Sequence, residues 1–227
     1  NGIEFKPHDF NDIVETIYAK KSNKYFSEFI KLCCTFITLF KSNNYSEAQF
    51  DEIKKQALTL NNEFLYKRTC LFMDIARIIY KQYQDNLVQN KAIDFSDMIN
   101  TAAKQVSYGA EIHKYKYVIV DEYQDISKSR FNLLKSIVDA TGAKLLCVGD
   151  DWQSIYRFAG SDISLFTQFE NYLGHTNLLK IEKTYRNSQE LIDEAAGFVL
   201  RNPLQLNKQL RSDKSLDYPL VFWGYEK

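Results

Sequence analysis

From Asp9 to Tyr108 the chain carries neither Gly nor Pro, and its apolar residues recur at helical spacing. Phe26, Phe29, Ile30, Cys33, Phe36, Ile37 and Phe40 fall on one face of a helix, and Leu71, Phe72, Ile75, Ile78, Ile79 and Tyr83 on one face of another. Asn43-Asn44 and Asn61-Asn62 mark loops between helices. The Lys and Glu residues between the apolar positions read as solvated faces, and the aromatic stripe reads as core. A further helix starts at Asp94, whose carboxylate is placed to cap the first free backbone donors, with Asp97 where a capping-box acid would sit. Phe95, Met98, Ile99, Ala102 and Val106 give that helix its apolar face.

After Gly109 the pattern changes. Short apolar runs alternate with helical spacing: a strand from Tyr115 to Val120, a helix from Ser129 to Thr141, and a strand from Lys144 to Val148. A third strand is expected from Asn177 to Glu182, a helix capped by Ser188 from there to Leu200, and a last strand from Pro219 to Tyr225. Strands separated by helices predict right-handed crossovers and a parallel sheet, hence an α/β fold behind a helical part that ends near residue 108. The run Tyr117-Val118-Ile119-Val120 suits a strand buried on both faces.

Composition narrows the classes. The chain has 227 residues, 45% hydrophobic and 26% charged, enough for a substantial core. Its 29 basic and 29 acidic residues leave a formal net charge of +0, so a nucleic-acid partner would have to be held by a local patch. Cys33, Cys34, Cys70 and Cys147 form no C-x-x-C, and His8, His113 and His175 are scattered. Neither a zinc site nor a disulfide framework is suggested, and a reducing cytoplasm fits best. The most apolar segment, Phe26 to Phe40, is too short to span a bilayer and contains Glu28 and Lys31, so no membrane partner is expected. The chain opens on Asn1 without a Met, which raises the expectation of a piece of a longer protein.

The chemistry gathers where the strands end. In open α/β sheets the ligand crevice lies beyond the carboxyl ends of the strands, and there Val120 gives way to Asp121 and Glu122. One carboxylate could hold a hard cation while the other acts as general base on a water. Standing alone, the pair reads equally as a solvated acidic turn. Three segments, however, each follow an expected strand: Asp121-Glu122-Tyr123-Gln124-Asp125, then Val148 to Asp162, then Thr184-Tyr185-Arg186-Asn187. Together they offer acids for a metal, an amide (Gln153) to orient a water or phosphate, a guanidinium (Arg186) for phosphate charge, and the aromatics Tyr156, Phe158 and Tyr185. That set suits phosphoryl transfer, in which a protein mainly positions groups and stabilises spread negative charge.

These segments resemble the second, third and fourth motifs of superfamily 1 DNA helicases of the UvrD/Rep type. Val148 to Asp162, Asn202-Pro203 and Gln209-Leu210-Arg211-Ser212 are most similar to the helicase IV branch, and Asp94-Phe95-Ser96-Asp97 resembles a motif that the family carries before the acidic one. The resemblance is dense from Asp94 to Ser212. It implies a partial RecA-like (P-loop NTPase) parallel sheet with an N-terminal all-helical insertion subdomain. Residues 1–108 would be that subdomain, 109–187 the core of the first motor domain, and 188–227 the start of the second. It also implies an ATP-dependent 3′-to-5′ helicase acting on single-stranded and duplex DNA, in the setting of DNA repair. Carried over residue by residue, Asp121, with Glu122 beside it, would hold Mg²⁺ and Glu122 would polarise the attacking water. Gln153 would sense the γ-phosphate of ATP and link it to the DNA site, and Arg186 would contact that phosphate. Tyr185 would stack on the adenine, and Tyr156 and Phe158 would line the single-stranded DNA path. Phe158 stands where many relatives have a Trp, and Ala159 where an Arg is common.

One departure is large. None of the 8 glycines is followed by Lys, so the chain has no Gly-Lys-Ser/Thr loop to cradle phosphates. The chain by itself is therefore expected to lack ATPase activity, the missing motifs lying outside it. Arg201, Lys208, Arg211 and Lys214 read either as phosphate contacts or as a solvated face. Two rivals stay open: a helicase-like binding or scaffold module without ATPase activity, and a metal-dependent hydrolase or nuclease using Asp121, Glu122 and Asp125. Removal of the strand leading into a phosphate loop would expose sheet and carry a risk of pairing with another copy, and the oligomeric state stays open.

Overall fold

The computed structural model describes residues 24–224. The chain divides into two compact units: one runs to Val118 and takes in Ser127–Leu145, the other comprises Ile119–Ile126 and the residues from Leu146 on. The first unit is built from α1 (Lys24–Ser42), α2 (Ala48–Leu58), α3 (Glu63–Gln89), α4 (Phe95–Ser107) and α5 (Lys128–Thr141). The expected asparagine loops are present. Asn44 and Asn61 adopt left-handed φ values of 54° and 49°, and Asn62 caps α3 by accepting the Leu65 N–H at 3.0 Å.

The core of this unit is aromatic. Phe40, Phe50, Met73 and Ala76 are buried, with Phe36, Ile53, Phe72 and Tyr80 packed around them. Phe40 and Phe50 lie 4.4 Å apart between ring centroids, and Phe36 meets Phe72 edge-on at 5.3 Å. The α1 face is the one expected from its spacing. On α3 the buried stripe is rotated: Met73, Ala76 and Leu87 face inward, while Leu71 and Ile78 are exposed. Small Ala76 lets the helices approach, which turns its side of α3 inward. On α4 the outcome is similar. Ala103 and Val106 are buried, whereas Phe95 and Met98, expected on the apolar face, are exposed. Residues 9–23 of the expected helical run lie outside the described residues.

A buried cation pins α1 to the start of α4. The Lys41 side chain is 3% exposed, and its ammonium bonds Asp94 and, at 2.6 Å, Asp97. Asp94 also accepts the Asp97 N–H at 2.8 Å as the expected N-cap, and the Tyr83 hydroxyl at 2.9 Å. The Lys41 carbonyl accepts Asn100 Nδ2 at 3.0 Å and Ser129 Oγ at 3.3 Å, which draws in α4 and α5.

Two strands, β1 (Tyr117–Val120) and β2 (Lys144–Cys147), form a two-stranded sheet. Lys144 N–H donates to the Lys116 carbonyl and Val148 N–H to the Val120 carbonyl, so the strands are parallel and joined by α5. Both strands are half-buried on one face only. Tyr117, Ile119 and Leu146 are exposed on the other, in place of the burial on both faces that the apolar run suggests.

The second unit contains single 3₁₀ turns at Tyr123–Asp125, Asp151–Gln153 and Arg157–Ala159. After them come α6 (Ser164–Thr167), α7 (Phe169–Leu173) and α8 (Gln189–Val199). Ser188 caps α8 as its sequence predicts, accepting the Leu191 N–H at 3.4 Å. The third and last strands do not form. Among the described residues, 177–182 form no strand, Glu182 giving only its carbonyl to the Arg211 N–H at 2.8 Å, and Leu178, Leu179 and Ile181 are 70%, 87% and 84% exposed. The neighbouring chain makes an isolated parallel bridge, Lys183 with Arg211. Residues 219–224 are likewise without strand, and Tyr225 lies outside the described residues. An apolar β-branched run becomes a strand only where a neighbour accepts its ladder bonds.

Candidate functional site

At the end of β1 the backbone leaves strand geometry at once. Asp121 Oδ1 accepts the Glu122 N–H at 2.9 Å, and Glu122 itself sits at φ 50°, in the left-handed region. That inversion turns the chain into the 3₁₀ turn Tyr123–Asp125. Both Asp121 and Glu122 are exposed, whereas Tyr123 and Gln124 are each 1% exposed. The Tyr123 ring packs on Phe169 at 5.4 Å and Phe166 at 6.1 Å, and its N–H donates to the Val148 carbonyl at 2.9 Å. An anchored aromatic thus follows two solvent-facing acids.

Gln124 is the junction. Its Nε2 donates to Glu122 Oε2 at 2.7 Å and, more weakly, to Asp125 Oδ2 at 3.4 Å. Its Oε1 accepts the Asp150 N–H at 3.0 Å, and its carbonyl accepts Ser154 Oγ at 3.3 Å. Gly149 makes room for this amide: a Cβ there would stand 2.5 Å from Gln124 Oε1.

The Asp150-Asp151 pair is held by a lysine far along the chain. Lys208 bonds Asp150 and, at 2.8 Å, Asp151, with its ammonium 4.8 Å from the centre of the Trp152 ring. Asp151 is 2% exposed and also accepts the Leu206 N–H at 2.6 Å, while Trp152 Nε1 donates to the Leu206 carbonyl at 3.1 Å. Lys208 is therefore held between two acids and is not part of a solvated face. Burial pushes the Asp150 carboxyl up, but hydrogen bonds from Lys208 and Gln153 outweigh that, leaving it below its ordinary range. Gln153 is exposed, and its Nε2 donates to Asp150 Oδ2 at 2.7 Å.

Tyr156 and Phe158 flank Arg157 on the next turn, both exposed, with ring centroids 5.8 Å apart. Tyr185 is exposed with the Lys183 ammonium 5.4 Å from its ring centre. Arg186 and Lys214 line one hollow with Asn187, Ser188, Leu191 and Ser215. Among the described residues, no hydrogen bond joins Tyr185 or Arg186 to the acidic segment. Glu122 and Gln153 are brought into one network, while Tyr185 and Arg186 keep neighbours of their own. Sequence reasoning gave Gln124 and Asp151 no role of their own and read Lys208 as a phosphate contact or part of a solvated face. Gln124 lies inside a recognised motif, but no local pattern pairs Lys208 with acids so distant in sequence.

Asp121 and Glu122 fit a magnesium ion in one particular way. No group of three or more His, Cys, Asp or Glu able to hold a metal occurs among the described residues. Magnesium commonly takes one or two carboxylates, with substrate phosphates and waters completing the octahedron. Two adjacent exposed acids match that mode rather than a protein-only cage. Asp125 is turned inward, with its Oδ1 enclosed and without a hydrogen-bond partner among the described residues. Burial, and secondarily the Glu122 charge, push its carboxyl above the ordinary range. Ionisation of Asp125 therefore costs more in the folded chain than in the unfolded one, so its contribution falls as pH rises above the ordinary carboxylate value. Asp125→Asn is expected to raise the urea midpoint at pH 7, with the gain vanishing below about pH 4. Equal midpoints at both pH values would contradict this.

A family model described as the UvrD/REP helicase N-terminal domain matches residues 4–173. The chain is 37% identical over 135 residues to DNA helicase IV of Escherichia coli (strain K12), covering 59% of this chain and 20% of that protein. It is 29% identical over 177 residues to the ATP-dependent DNA helicase PcrA of Bacillus subtilis (strain 168), covering 72% and 24%. With the PcrA of Staphylococcus aureus (strain Mu50) it shares 36% identity over 130 residues, covering 55% and 17%. The chain spans about a quarter or less of the length of these curated relatives.

Proposed function

Because the chain belongs to the UvrD/REP helicase family, we propose that it forms part of the motor of an ATP-dependent DNA helicase translocating 3′ to 5′ along single-stranded DNA. One observation supports this reading above the others. Of the exposed acids beyond β1, Glu122 is tied through Gln124 and Asp150 to Gln153, within the same segment as the exposed aromatics Tyr156 and Phe158. In this reading a run of hydrogen bonds joins the hydrolytic acid to the segment that carries the base-stacking aromatics.

Bound Mg²⁺-ATP would supply the phosphoryl group and the neutralising charge of the reaction. In this reading Asp121, with Glu122 beside it, would hold the metal, and Glu122 would accept the proton of the attacking water. Gln153 senses the γ-phosphate, and Arg186 meets its charge with a planar fork. Tyr185 offers its exposed ring to the adenine. Tyr156 and Phe158 stack on bases, each such contact contributing about 1–3 kcal/mol. The domain reading goes with it: a RecA-like core over residues 109–187, preceded by a helical insertion and followed by the start of a second motor domain. Among the described residues no helix is long and apolar enough to cross a membrane. A cytoplasmic setting is part of the proposal.

The phosphate-binding loop must come from outside this stretch, so the 227-residue chain alone is proposed to be inactive. The test is ATP hydrolysis, with and without single-stranded DNA, by the full-length protein containing this chain and by the chain alone. DNA-stimulated turnover confined to the full-length protein is expected. DNA binding without turnover in the full-length protein would instead favour a scaffold, and metal-dependent DNA cleavage by the chain alone a nuclease.

A further inference from the structure

We propose that Gln124 is a positioning residue that sets the Glu122 carboxylate and couples it to the Asp150–Gln153 segment. The inference rests on Glu122 acting as the hydrolytic carboxylate. The Gln124 amide is buried, at 1% exposure, and both of its ends are in use. Nε2 holds Glu122 Oε2 at 2.7 Å, and Oε1 holds the Asp150 N–H at 3.0 Å. Asp150 in turn takes Gln153 Nε2 at 2.7 Å, and Lys208 braces Asp150 from the other side. A continuous chain of hydrogen bonds therefore runs Glu122–Gln124–Asp150–Gln153.

Glu122 needs such a restraint. Its side chain is exposed, and among the described residues the hydrogen-bond donor to its carboxylate is Gln124 Nε2. Gln124 cannot move far, because its amide is wedged over Gly149, where even a methyl carbon would overlap it. A displacement of Asp150 is thus passed to Glu122 through one rigid amide. The amide must donate to the carboxylate and accept from the backbone, which no residue of one polarity does at both ends.

The test uses the full-length protein with Gln124→Met and Gln124→Glu. Met keeps the length and loses both bonds, whereas Glu keeps the acceptor for Asp150 N–H and, ionised at an alkaline assay pH, loses the donor to Glu122. Both variants are expected to lower kcat for DNA-stimulated ATP hydrolysis by about 10²-fold, as for a reacting group displaced by an ångström. KM for ATP should stay within about twofold, since what is lost is the alignment of Glu122 on the attacking water and not a contact with ATP. A normal rate in Gln124→Glu with a slow Gln124→Met would show that Gln124 only braces the Asp150 segment, overturning the positioning of Glu122. Loss of ATP or DNA binding along with the rate, in both variants, would mark a structural role and overturn it too. Unchanged kcat in both would overturn it outright. No turnover in the unmodified protein would instead remove the functional reading beneath it, and the inference with it.

Discussion

Replacing Glu122 by Gln in the full-length protein is expected to slow single-stranded-DNA-stimulated ATP hydrolysis by about 10²–10⁴-fold, the usual contribution of a positioned general base. The substitution is close to isosteric. A glutamine oxygen can still accept from Gln124 Nε2, where Glu122 Oε2 now accepts at 2.7 Å. Glu122 is exposed, so its replacement leaves no cavity and no buried orphan. Binding of single-stranded DNA, measured by fluorescence anisotropy, should survive, because Tyr156 and Phe158 lie on another turn. What is lost is the ability to take a proton. Wild-type turnover in the variant would remove Glu122 from the chemistry, and Asp121 would become the next carboxylate to try.

The second large effect concerns folding. Lys41→Ala is expected to destabilise the helical unit by about 3–5 kcal/mol, the usual result of removing one partner from a buried ion cluster. Asp94 is 12% exposed and Asp97 26%, so both acids would be left facing protein without their cation. The Tyr83 hydroxyl, pushed far above its ordinary value by burial and by Asp94, would remain a donor but adds no charge. The triple change Lys41→Met, Asp94→Asn, Asp97→Asn should recover most of the loss. It removes all three charges, while an asparagine side chain at position 94 can still cap α4. Urea denaturation followed by far-ultraviolet circular dichroism gives the comparison. If Lys41→Ala unfolds at the wild-type midpoint, the cluster contributes no net stability.

Local rules made some of this legible. The caps at Asp94 and Ser188, the apolar face of α1, and both strands that form are each specified by residues within a few positions of one another. So were the acids beyond β1, because an apolar run that stops at two carboxylates is a local pattern. Long-range pairing was hidden. Asn177 to Glu182 has the composition of a strand, yet hydrophobicity does not say whether a ladder partner is present. Phe95 and Met98 fit a helical stripe, but α4 turns its small side, Ala103, inward. Lys208 looked like a surface cation because the two acids that bury it lie 57 and 58 residues earlier.

The backbone inversion at Glu122 sets two kinds of fitness against each other. A left-handed conformation at a residue with a side chain costs on the order of 1 kcal/mol, a burden that glycine escapes and asparagine lightens. A library randomised at position 122 and sorted only by folded yield should therefore fill with Gly and Asn. Sorted by turnover, the same library should return almost nothing but Glu. Heat-hardened versions of this protein, selected without an activity step, would be sturdy and inert.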